Sequence, residues 1–173
     1  MDSNYFFMIV VRTELDFAPA IKCIIDGMEA SDKDDVETLI QNLSMIRQAV
    51  LNMKNTLKNL HSDREFMLEM RNYLPLAHKK FIEEIESKSN IRNYVLESGH
   101  LILKKTFDEV LSAIADFRSY HIQIVTKYII IMSRRDIQTD HTVVMAGTSG
   151  SNLLPFLKRL RQTTNDEKVA SDN

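Results

Sequence analysis

Few side chains in this sequence are equipped for chemistry, and His121 occupies the most telling position among them. It falls within the stripe Phe107, Val110, Leu111, Ile114, Phe117, His121, Ile124, Val125 and Tyr128, where a helical period calls for an apolar residue. A neutral imidazole placed there keeps a lone pair on one ring nitrogen, and its polar ring needs partners. Three roles fit the pattern: a structural core histidine, a metal ligand, or a general base. Arg118 lies three residues earlier on nearly the same face. As a surface residue it would form a salt bridge; as a buried one it would have to meet an anion.

The other histidines, His61, His78, His100 and His141, sit near helix starts, helix ends or polar stretches where solvated side chains are the rule. With no cysteine or carboxylate beside it, His121 cannot build a zinc site. A haem iron asks for less, since the porphyrin supplies four ligands and one axial histidine completes the proximal side. No HExxH, GxSxG or P-loop pattern occurs. Gly147-Thr148-Ser149-Gly150-Ser151 lacks the lysine of a Walker A loop. It is either an ordinary connection or a cradle of backbone N–H donors for a carboxylate or other anion at the start of the last helix.

The elements that must position these groups are helices. The 173 residues suit one domain, and 4 glycines and 3 prolines are too few for a turn-rich sandwich or barrel. With 44% hydrophobic and 27% charged residues and a net charge of −2, the chain is neither a disordered tail nor a membrane protein, and has no general pull toward nucleic acid. The single Cys23 excludes an internal disulfide and fits a reducing, cytoplasmic setting. The apolar run Tyr5 to Val11 is far shorter than the ~20 residues of a membrane span and reads as an opening helix or strand.

Asp16 is placed to cap a helix with Pro19 in its first turn, running to about Gly27. Ser31 to Asp35 then leads into a long stripe from Val36 to Leu60, suited to a bundle or a coiled-coil partner. A capping box at Ser62 opens a helix that Pro75 interrupts, and further helices follow at about 76–87 and around Ile91 to Val95, the latter closed by Gly99. His100 to Met132 contains no glycine or proline and predicts one helix of roughly 50 Å. Ser133 to Met145 reads as irregular. A last helix carries Leu153, Leu154, Phe156, Leu157 and Leu160 on its apolar face, with a frayed polar tail expected over 162–173.

The run Arg118-Ser119-Tyr120-His121-Ile122-Gln123-Ile124-Val125-Thr126-Lys127-Tyr128-Ile129 closely resembles the haem-ligand helix of the indoleamine 2,3-dioxygenase family. Met70 to His78 with Phe81, the Gly147 to Ser151 loop, Phe156-Leu157-Lys158 with Thr163-Thr164, and Phe6-Phe7 through Lys22 resemble the same family in the same order. The resemblance implies an all-α bundle similar to part of the family's large domain, with 1–161 a single haem-domain-like region. It implies haem b as cofactor, His121 as the proximal iron ligand, and Arg118, Tyr120, Ile124 and Val125 along the cofactor. Gly147, Thr148, Ser149, Gly150 and Ser151 would lie near the substrate. The implied partners are L-tryptophan or a related indole and O₂, and the implied reaction inserts both oxygen atoms across the indole C2–C3 bond to give N-formylkynurenine, the kynurenine route of tryptophan catabolism.

Two departures from the family accompany these matches. The small N-terminal domain has no counterpart, and between His61 and Glu65 the chain passes from one family helix to a much later one. The skipped stretch carries distal-pocket residues and an acidic partner for Arg118. A truncated, low-activity or inactive form is therefore expected, with a haem or oxygen binder, or a helical remnant without haem, as alternatives. Helices stripped of their usual neighbours would also expose apolar stripes, which predicts self-association.

Overall fold

The computed structural model describes residues 3–59, 89–130 and 153–169. Every described element is helical: α1 (Ser3–Asp32), α2 (Val36–Lys58), α3 (Ile91–Glu97), α4 (Leu101–Ile124), a π-helical turn over Val125–Ile130, and α5 (Leu153–Asp166). The expected all-α bundle is thus the observed one. The expected elements at 62–88, the irregular stretch 133–145 and the glycine loop lie outside the described residues.

α1 and α2 form a hairpin. Its turn places Asp34 at φ +57°, where the Tyr94 hydroxyl donates to the Asp34 carboxylate at 2.5 Å and pushes the phenol's pKa up to about 12. Asp35 then caps α2 by accepting the Thr38 N–H at 3.0 Å. α1 departs from expectation, because it starts well before Asp16 and takes Pro19 into its interior. The N–H that Pro19 lacks would bond the carbonyl of Leu15, an exposed residue, so water can serve that carbonyl. Asp16 does not cap; its carboxylate takes Arg12 Nε at 3.0 Å and the Thr56 hydroxyl of α2. Gly27 lies on the face of α1 that packs on α2, where a Cβ would meet the Leu39 side chain at an ordinary contact distance of 3.4 Å.

α4 runs beside α2 in parallel. Arg47 meets Glu109 at 3.6 Å, and one heptad on Lys54 meets Asp116 at 3.1 Å, so the offset between the helices is constant. These exposed pairs contribute little energy but mark the register. The apolar contacts hold it. Leu39, Leu103 and Val95 are fully buried and Val110 and Ala113 nearly so, each large side chain contributing about 1.5–3 kcal/mol. At the opposite end Ile9, Leu57 and Ile124 form a second cluster with Phe117 and Tyr120. Glycine at 99, with φ +69°, separates α3 from α4, as expected.

α5 lies antiparallel along α4. The boundary expected at 161 falls inside this helix, which continues to Asp166 because Thr164 is buried against α4 and Val169 packs on the core. Phe156, expected on the buried face, is 43% exposed; Leu157, Leu160 and Thr164 form the inward stripe.

Candidate functional site

The chemistry gathers on the last turn of α4. Leu103 and Val110 anchor the start of this helix and Ile124 its end, so the turn carrying Arg118, Tyr120 and His121 is held from both sides. His121 is half-buried rather than enclosed. Enough protein surrounds the ring for burial to lower its pKa below 6.5. A histidine in the last turn of a helix ordinarily gains a proton from the helix dipole. Desolvation prevails here, and the Val125 N–H already engages the His121 and Ile122 carbonyls. Among the described residues no side chain hydrogen-bonds the imidazole, whose neutral form keeps a lone pair on one ring nitrogen.

Arg118 has a different fate. Its guanidinium reaches across to α5, donating to the Leu160 carbonyl and the Thr164 hydroxyl. Thr164 in turn donates to the Leu160 carbonyl at 3.0 Å. Both acceptors lie toward the C-terminal, electronegative end of α5, which offsets a positive charge that burial disfavours. The anion expected for a buried Arg118 is therefore replaced by neutral acceptors: among the described residues it forms no ion pair. Thr164 belongs to this site, although the sequence offers it only as part of the family resemblance at Thr163-Thr164 and with no role. Its signal is its place on the stripe set by Leu157 and Leu160.

Of the other expected cofactor contacts, Tyr120 packs with the Ile9, Leu57 and Ile124 cluster. Ile124 and Val125 are 1% and 4% exposed. Val125 opens the π-helical turn, which widens the helix within one turn of His121; such widenings recur at functional sites. Gly147, Thr148, Ser149, Gly150 and Ser151 lie outside the described residues. No group of three His, Cys, Asp or Glu that could hold a bare metal ion occurs among the described residues.

The family model of indoleamine 2,3-dioxygenase matches this chain in two stretches, residues 1–65 and 59–167. The chain belongs to the indoleamine 2,3-dioxygenase family. It is 36% identical over 108 residues to indoleamine 2,3-dioxygenase 2 of Homo sapiens, covering 58% of this chain and 26% of that protein. The corresponding protein of Mus musculus is 22% identical over 230 residues, covering 92% of this chain and 57% of the mouse one. A protein named myoglobin from Haliotis madaka is 37% identical over 105 residues, 60% of this chain and 27% of that one. The chain thus spans between about a quarter and somewhat over half of the length of these relatives. The mouse alignment is longer than this chain's 173 residues, so a stretch of that relative has no counterpart here. His121, Arg118 and Thr164 all fall within the second matched stretch.

Proposed function

We propose that this chain is a haem b protein in which His121 is the proximal iron ligand. The observation that carries the reading is a desolvated imidazole with no hydrogen-bonding side chain among the described residues, on the family-matched helix. One axial donor is all that haem requires of the protein on its proximal side, and the lowered pKa keeps that donor unprotonated at neutral pH. Arg118 braces the turn that carries His121 by tying it to α5. Ile124 and Val125 keep water from the protein behind the ring. The Gly147–Ser151 loop is proposed to receive the amino-acid end of the substrate through its backbone N–H groups.

Haem bound there would supply an iron centre for O₂ chemistry on an indole ring, the substrate class in the family's name, with L-tryptophan the proposed substrate. The two overlapping family matches, meeting at residues 59–65, support an internal gap where the distal segment of the domain would enter. A site without that wall positions substrate poorly and admits water, so oxygenation to N-formylkynurenine by this chain is expected to be low or absent. A second reading, haem and oxygen binding without oxygenation, is favoured by the relative named myoglobin. No described helix is long and apolar enough to cross a membrane. A cytoplasmic setting is proposed from the buried, unpaired Cys23. Self-association is proposed from Leu101 and Ile102, 81% and 70% exposed; a monomeric sizing profile at all concentrations contradicts it.

Adding haem to the purified chain and recording the visible spectrum tests the reading. A Soret band of histidine-ligated haem is expected, and its absence rejects both haem readings in favour of a helical remnant. N-formylkynurenine production under reducing conditions then separates oxygenase from binder.

A further inference from the structure

A second feature of α4 lies on the face roughly opposite His121. Ser112, Ala115, Asp116 and Ser119 recur at helical spacing and form one wall of an open groove of about 320 Å³. Arg161, Gln162 and Asn165 of α5, with Lys168 just beyond it, form the other. The lining is mainly polar, which disfavours an apolar ligand.

The charges around this groove are unevenly spent. Asp116 pairs with Lys54 at 3.1 Å, Asp166 accepts Gln162 Nε2 at 2.7 Å, and Glu167 pairs with Arg92 at 2.6 Å. Asp108 accepts the Val169 N–H at 2.8 Å. Arg161 and Lys168 have no side-chain partner among the described residues, although Arg161 is half-buried. A guanidinium that lines a groove without a carboxylate partner among the described residues has an oxyanion as its natural complement. The serine hydroxyls already donate to their own helix, Ser112 to the Asp108 carbonyl at 2.7 Å and Ser119 to the Ala115 carbonyl at 2.8 Å. The donors left for an incoming anion are therefore Arg161, Lys168 and the Asn165 amide.

We infer that the groove between α4 and α5 binds a small phosphate- or carboxylate-bearing molecule through Arg161 and Lys168. This site is separate from the proposed haem side and does not depend on it. Isothermal titration of the full chain, at constant ionic strength held with chloride, uses inorganic phosphate in one arm and succinate in the other. Saturable binding in either arm is expected, and the tighter arm identifies the oxyanion class. Arg161→Gln and Lys168→Gln should each weaken it roughly tenfold, the loss of one charge-assisted contact, while Lys105→Gln on the exposed face of α4 leaves it unchanged. If Arg161→Gln loses helical circular dichroism, Lys168→Gln, which lies outside the helix, decides alone. No saturation in either arm overturns the inference, as does binding that survives Lys168→Gln intact or weakens equally in Lys105→Gln.

Discussion

The two ends of α4 obey different rules. At its start, the buried residues Leu103 and Val110 are apolar and share one core cluster with residues of α1, α2 and α3. At its end, Arg118, Tyr120 and His121 crowd into one turn, and the helix then widens into a π-turn. Of the two basic residues there, Arg118 is satisfied by α5, whereas the neutral imidazole of His121 is desolvated with no hydrogen bond from a described side chain. A stabilising region has no reason to leave such a group unpaired. Both ends are anchored by apolar contacts, Leu103 and Val110 at the first and Ile124 at the second, but only the second carries a desolvated, unpaired polar ring.

The contrast can be broken in measurable ways. Leu103→Ala should cost about 2–5 kcal/mol in urea unfolding, because a fully buried leucine leaves a cavity among three packed helices. A loss below 1 kcal/mol would mean that the start of α4 is not the anchor. Thr164→Val removes the acceptor hydroxyl under Arg118 and should cost about 1–3 kcal/mol, with Thr164→Ser largely restoring it. A neutral Thr164→Val would show that Leu160 alone suffices to hold the guanidinium.

The smallest effect is in pH. His121 binds a proton less readily when folded than when unfolded, so the unfolded chain takes up more protons as pH falls below 6.5. The stability of the haem-free chain should therefore be fully present above pH 6.5 and decline as pH drops through the lower folded pKa. His121→Asn should flatten that part of the urea-midpoint profile. A profile unchanged by the substitution would place His121 in water.

Much of this architecture is legible in the sequence, for identifiable reasons. α2 follows from an unbroken apolar stripe with acidic residues before it, and the start of α4 from Gly99 and a long stretch free of helix breakers. α1 is harder to read, because Pro19 argues for a boundary that two neighbouring helices and an exposed turn override. The π-turn carries no glycine or proline to announce it. At the site, His121 stands out as the polar member of an apolar stripe. The partnership of Arg118 with Thr164 does not, because it joins residues far apart in sequence and replaces an expected anion with neutral acceptors. The unspent Arg161 likewise emerges only when its neighbours' carboxylates are seen to be paired elsewhere.

The most direct test of the account is the visible spectrum of the haem-loaded chain compared with that of His121→Ala, each with and without free imidazole. The account predicts a histidine-ligated Soret band in the native chain, its loss in His121→Ala, and its recovery when imidazole is added to the variant. A band that His121→Ala leaves unchanged would contradict the assignment of His121 as the iron ligand.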